Sequence, residues 1–292
     1  MKKKLTLVHL LLVLIKLTSA QLPDTDIFLI SVEDIINNKE LIPENITNRK
    51  GYDNHPWFSD DGNKLYYVAA DSSGQTDIFE LDLVTNMRST VAKTKESEFS
   101  PMPFDHAQLF TVRIDLDTAQ RAYRYNLISK DFTFIKGTND IGYANIINDS
   151  LIAAFILGEK MTLQLINIVN GERKLIASDV GRCIRFEPKS KKIFFVIKQN
   201  ADEWSIFSYH LDNQILKKVV PALSNSEDFE ILNDSTLLMG FRGKIFSVNT
   251  NETNNGWRII ADLSNALGDF YRLVLDKQKT KLALVGYSGI KP

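Results

Sequence analysis

The 292-residue sequence holds one cysteine, Cys183, so no internal disulfide can form and the fold must rest on its apolar core. Histidine is nearly as scarce. After His9 only His55, His106 and His210 occur, far apart, and neither H-x-x-x-H nor C-x-x-C is found, so no motif for paired metal ligands exists. The G-x-S-x-G elbow of serine hydrolases is absent as well. Basic residues do not exceed acidic ones, 35 against 36, and they form no stripe, which excludes the phosphate-neutralising face of a nucleic-acid binder. Helical periodicity is nearly missing. It is confined to Val32 to Asn38 and a turn near Leu263 to Leu267.

Long apolar runs are also lacking, with one exception near the start. Lys2-Lys3-Lys4 precedes an apolar stretch from Leu5 to Ile15, and Thr18-Ser19-Ala20 follows. That order reads as an export signal cut after Ala20, and the run is about half of what a membrane-spanning helix requires. Gln21, not cysteine, comes next, so acylation of a thiol there is excluded. The expectation is a leader over 1–20 and a mature chain, 21–292, that is periplasmic or secreted, without a transmembrane segment, and monomeric. Loss of four leader lysines makes the mature chain acidic.

What the chain does have is an internal period. Short apolar strands begin at Leu65 (LYYVAA), Leu109 (LFTVRI), Leu151 (LIAAFI), Ile193 (IFFVIK), Leu237 (LLMGF) and Leu282 (LALVGY), a spacing of 42 to 45 residues. Polar turns such as Asp60-Asp61-Gly62-Asn63-Lys64 and Asn148-Asp149-Ser150 precede them, which makes hairpins. A third strand follows each (DIFELDL from Asp77, SIFSYHL from Ser205), then a short fourth (RSTVA from Arg88, LKKVV from Leu216). Four strands per 40 to 50 residues define a propeller blade. The predicted class is all-β: a six-bladed β-propeller with four-stranded antiparallel blades, approximately 52–93, 96–137, 141–177, 179–220, 226–262 and 266–290.

The last unit supplies only two strands. Asp26 to Pro43 (DIFLISVEDIINNKELIP) carries a third-and-fourth-strand pattern and echoes DIFELDL, so 26–45 is expected to complete the sixth blade and close the ring.

The stretch from Tyr52 to Leu83 resembles the blade repeat of TolB-type, WD-like propellers. Asn54, Pro56, Trp57 or Phe58, Ser59, Asp61, Gly62, Lys64, Leu65, Asp77 and Ile78 match its pattern, while Asp60 stands where proline is usual. Later blades keep less: Ser100-Pro101 with Asp105 and Leu109, then Phe186-Glu187-Pro188. The resemblance covers the propeller part alone and not the extra N-terminal domain of TolB. It implies a propeller fold and a protein- or peptide-binding or scaffold module of the cell envelope, with Asp26 and Asp77 bonding backbone N–H groups of the preceding turns.

In a propeller the residues leading into the innermost strands converge on the axis. Blade register assigns Asp53, His55 and Trp57; Glu98; Tyr143 and Asn145; Arg182 and Arg185; Glu227 and Asp228; Asp269, Tyr271 and Arg272 to that face. Mixed charges with aromatics suit a peptide or small polar ligand; a solvated channel mouth with Trp57 packed between blades is the plain alternative. Catalytic residues, cofactors and metals are expected to be absent. The competing reading is a lactonase-like propeller hydrolase with a divalent cation in the channel, for which Glu98, Asn145, Asp228 and Asp269 are the conceivable donors. Single histidines read as surface or loop residues, and Cys183 as a small buried hydrophobe.

Overall fold

A computed structural model describes residues 22–224, 226–252 and 256–288; the expected export signal and its expected cut after Ala20 lie outside the described residues. Six four-stranded antiparallel sheets form the blades. The chain opens with β1 (Thr25–Ser31), a short helix α1 (Val32–Ile36) and β2 (Glu44–Asn45). Blade 1 follows as β3 (Asp53–Phe58), β4 (Lys64–Ala70), β5 (Thr76–Asp82) and β6 (Arg88–Ala92). Blade 2 is β7 (Ser97–Pro103), β8 (Gln108–Ile114), β9 (Gln120–Asn126) and β10 (Phe132–Phe134). Blade 3 is β11 (Ile141–Asn148), β12 (Leu151–Ile156), β13 (Thr162–Asn167) and β14 (Arg173–Ser178). Blade 4 is β15 (Val180–Glu187), β16 (Lys192–Lys198), β17 (Trp204–His210) and β18 (Leu216–Pro221). Blade 5 is β19 (Phe229–Asn233), β20 (Thr236–Phe241), β21 (Lys244–Asn249) and β22 (Arg258–Asp262). The chain ends with β23 (Phe270–Leu275) and β24 (Lys281–Tyr287).

The sixth sheet has the order β2-β1-β24-β23, so its outer half comes from the start of the chain and its inner half from the end. All seven residues of β1 pair with all seven of β24, from Thr25 against Tyr287 to Ser31 against Lys281. The ring is closed as expected, but the fourth strand is not inside Asp26–Pro43. Ser31 accepts the Asp34 N–H and caps α1, whose Val32 and Ile35 are buried against blade 5, and the strand is deferred to Glu44–Asn45.

Turn chemistry recurs where the polar clusters predict it. Asp61 takes the Asn63 N–H at 3.0 Å and the Ser59 hydroxyl at 2.5 Å; Asn148 takes the Ser150 N–H at 3.0 Å; Asn233 takes the Ser235 N–H at 3.1 Å. The Asp60–Asp61 stretch is thus accounted for by its turn. Between β20 and β21 the two-residue turn Arg242–Gly243 has φ of 49° and 72°, the left-handed pair that matches strand twist in a tight hairpin. Middle strands are buried on both faces: Leu65 to Ala70 and Leu282 to Val285 are all buried, because neighbouring blades cover them.

Asp26 and Asp77 hold the ring differently from expectation. Asp26 accepts the Arg49 N–H and the Thr47 hydroxyl, and Asp77 faces the Thr94 N–H, backbone and hydroxyl donors in the segment after the fourth strand; of the turn before Asp77 it is the Gln75 side chain, not a backbone N–H, that lies against the carboxylate.

Candidate functional site

β3 and β7, the innermost strands of blades 1 and 2, each carry a bulge. Pairing with the second strand slips between Asn54 and Trp57 in one and between Phe99 and Met102 in the other. In both, the residue before a proline adopts a left-handed backbone: His55 at φ 54° before Pro56, Ser100 at φ 52° before Pro101. Such conformations cost about 1 kcal/mol or more each and are held by their surroundings. They bring the two side chains together. His55 Nδ1 lies 2.9 Å from Ser100 Oγ, Nε2 lies 3.1 Å from the Tyr52 hydroxyl, and the ring stacks on Tyr143 at 5.6 Å with planes 4° apart. His55 is therefore a buried axial residue, not a surface or loop one. Burial, then the charges of Arg272 and Arg182, hold its pKa well below the ordinary range, so the ring is neutral.

Beside it sits a belt of charge. Arg182 donates to Glu227 at 3.0 Å and to Asp228 at 2.9 Å; Arg272 Nε lies 3.6 Å from the same Asp228 oxygen and its NH2 lies 3.5 Å from the Tyr143 hydroxyl. Arg185 pairs with Glu230 at 2.6 Å, and Lys198 with Glu227 at 3.0 Å. Burial pushes the Asp228 carboxyl up, but Arg182 and Arg272 together pull it below the usual carboxylate range. Asp228 is thus shared by two arginines, and Nε of both Arg182 and Arg272 makes no hydrogen bond. A half-buried guanidinium with donors to spare suits a negatively charged group.

This belt divides the channel. A cavity of only about 60 Å³ remains between His55, Tyr143, Arg182, Asp228 and Arg272. On one side opens a mouth of about 680 Å³ lined by Tyr143, Arg182, Arg242, Asp269, Tyr271 and Arg272; on the other, one of about 560 Å³ reaches Trp57, Arg185, Phe186, Glu230 and Lys277. Of the residues expected on the axial face, Tyr143, Arg182, Arg272 and Asp269 meet at the first mouth, Trp57 and Arg185 at the second, and His55 and Asp228 in the belt. Most lie within the innermost strands and not ahead of them. The Arg185 guanidinium sits 5.6 Å over the Trp57 ring, which is half-buried.

Two expected residues stand elsewhere. Asp53 is turned to the junction of blades 6 and 1, where Arg49 pairs with it at 2.7 Å; Glu98 is turned to the junction of blades 1 and 2, where it accepts the Thr94 hydroxyl. Burial first, moderated by Arg49, puts the Asp53 pKa at about 6. The oxygen donors conceived for a channel cation are likewise apart: Asn145 donates to the Ile184 carbonyl, Asp269 accepts the Gly243 N–H, and Asp228 is held by arginine. Among the described residues no group of three or more His, Cys, Asp or Glu side chains is placed to hold a metal ion. Cys183 is buried against the Phe229 backbone and its thiol is pushed up to about 12 by burial. Tyr52, Ser100 and the Asn54–Tyr271 hydrogen bond were missed in sequence. The available signal was the repeated residue-Pro pair in the first strands of blades 1 and 2.

Fold and site together define a six-bladed propeller whose channel is narrowed by an arginine-rich belt between two unequal mouths. Its fold is that of the TolB-type propellers. The chain superposes on a protein assigned as TolB from Agrobacterium tumefaciens with a TM-score of 0.71 at 10% identity, covering 92% of this chain and 99% of the other. TolB from Acinetobacter baumannii gives 0.60 at 12%, with 90% of this chain and 64% of that chain covered. An oligogalacturonate lyase from Vibrio parahaemolyticus gives 0.56 at 12%, covering 84% and 80%. No family model and no curated protein sequence matches the chain.

Proposed function

We propose that the protein is a binding or scaffold propeller of the cell envelope, exported by its N-terminal leader, monomeric, and engaging a protein or peptide at the mouth around Tyr143, Arg182, Tyr271 and Arg272. One observation carries this reading: Arg272, half-buried in the channel, has a carboxylate no nearer than 3.6 Å and shares it with Arg182, in a mouth rimmed by aromatic rings. Aromatics and arginine are the residues on which peptide interfaces are anchored. No helix of the described residues is long and apolar enough to cross a membrane. Affinity capture from envelope extract tests it: wild type is expected to retain a partner that R272L and Y143A lose. A wild-type protein that recovers nothing above background, or variants that recover the same partner, would overturn it.

A second reading, a channel hydrolase, draws on the hydrogen-bonded pair His55–Ser100. Its weakness is physical. The second imidazole nitrogen meets a tyrosine hydroxyl, not a carboxylate, and two arginines oppose the imidazolium that a general base must become. Stoichiometric metal in purified protein, together with esterase or lactonase turnover lost in S100A, would restore it.

A further inference from the structure

The junctions between blades 6 and 1 and between blades 1 and 2 are built from similar parts and differ in how their charges and hydroxyls are met: at the first the Thr25 hydroxyl donates to the Asp53 carbonyl and one Asp53 oxygen is left unpartnered, and at the second the Thr76 hydroxyl has no partner. At the first, Thr25-Asp26-Ile27 heads a third strand, Thr47 lies against Asp26 at 3.1 Å, and Asp53 begins the next innermost strand. At the second, Thr76-Asp77-Ile78 heads a third strand, the Thr94 hydroxyl bonds Glu98 at 2.5 Å while its N–H faces Asp77, and Glu98 sits in the next innermost strand. Each junction therefore buries two carboxylates around one threonine. In the first, Arg49 supplies a guanidinium at 2.7 Å from Asp53. In the second, among the described residues, no arginine or lysine makes an ion pair with either carboxylate. Lys93 is exposed and reaches Asp77 through its charge without pairing with it, and Arg113 is engaged by Asp115 at 2.8 Å.

The oxygens left over sit deep in the protein. Glu98 is 0% exposed and its Oε2 has no hydrogen-bond partner; Asp77 is 3% exposed and its Oδ1 has none; Thr76, 0% exposed, has an unpartnered hydroxyl at the head of the same strand. Unsatisfied buried carboxylate oxygens are costly, and a neighbouring pair without an ion-pair partner sheds that cost either by holding a proton or, when both are ionised, by taking a cation from outside. Oxygen-only donors, carboxylate and hydroxyl, select a hard cation over zinc or copper.

We infer that the junction of blades 1 and 2 is a binding site for a calcium-sized divalent cation, held by Asp77 and Glu98 with Thr76 beside them, which does for this junction what Arg49 does for the preceding one. The site lies outside the channel and is independent of what the channel binds. With two carboxylates it is a weak site, with a Kd on the order of 10⁻⁴ to 10⁻³ M.

The test is calorimetric titration of chelator-treated full-length protein with calcium chloride, alongside thermal unfolding. Wild type is expected to take up one calcium and to melt on the order of 5 °C higher at about a hundred-fold excess over Kd. E98Q, which keeps an acceptor for Thr94, is expected to bind at least about tenfold more weakly and to lose the shift; D77N serves as the second variant should E98Q not fold. Terbium luminescence gives an independent readout, because Tyr125 packs with Ile78 and Ala92 beside the junction and can sensitise a bound lanthanide. Y125F should dim that emission while calcium still binds. Absence of calcium heat and of any melting shift in wild type up to roughly 10 mM, or unchanged binding in both E98Q and D77N, would overturn the site.

Discussion

Replacing Glu98 by glutamine, in chelator-treated protein, is expected to stabilise the fold at alkaline pH and to do so less as the pH falls. Burial, then the nearby Asp77 and Glu96 charges, outweigh the Thr94 hydrogen bond and the charge of Arg113, and raise the Glu98 pKa from 4.5 to about 7. A carboxyl whose pKa is higher folded than unfolded binds its proton more tightly in the native state. Its contribution is therefore favourable below the unfolded value and is lost as the pH climbs to about 7. Above that window the ionised group costs the fold about 3 kcal/mol, and glutamine removes the cost. At about pH 5 the advantage of the variant shrinks to roughly 1 kcal/mol. An unpartnered amide N–H trims these figures by about 1 kcal/mol at either pH. Asp53, also raised, titrates in wild type and variant alike and cancels. Urea unfolding of both proteins at about pH 5 and about pH 8, with equal m-values, measures the difference. A stability gap of the same size at both pH values, or a variant that is weaker at alkaline pH, would refute the charge as the cause.

Asp228→Asn leaves Arg182 and Arg272 without their shared carboxylate and should destabilise the protein by about 3–5 kcal/mol, read as a lower urea midpoint. Ile27→Ala removes a side chain that is 0% exposed in the closing strand and should cost about 2–5 kcal/mol, while the same change at exposed Ile36 should be nearly silent. Gly240→Ala would place a methyl against the Phe270 ring and should lower stability by about 1–3 kcal/mol; a thermal midpoint equal to wild type would show that the ring can move aside.

Blade count, strand order and ring closure were legible before any coordinates because they rest on local signals: apolar runs at a fixed spacing, Asx and Gly turns between them, and the echo of DIFELDL in DIFLISV. A seven-residue pairing of β1 with β24 follows directly from that echo. The displaced fourth strand did not follow, since Ser31 with Val32 and Ile35 diverts the chain into a helical turn whose apolar side chains find a tertiary partner in blade 5. The site is legible in composition but not in arrangement. Which axial residues face the channel depends on bulges at His55 and Ser100, and one inserted residue reverses the phase of alternation along a strand. Asp53 and His55, two apart, would share a face in a regular strand; the structure sends one to a blade junction and the other to the axis. Arg182 meets Asp228 across 46 residues and Arg272 meets Tyr143 across 129, and no spacing in the chain announces such pairs. Local chemistry decided the repeat, and only the closed ring decided which charges became neighbours.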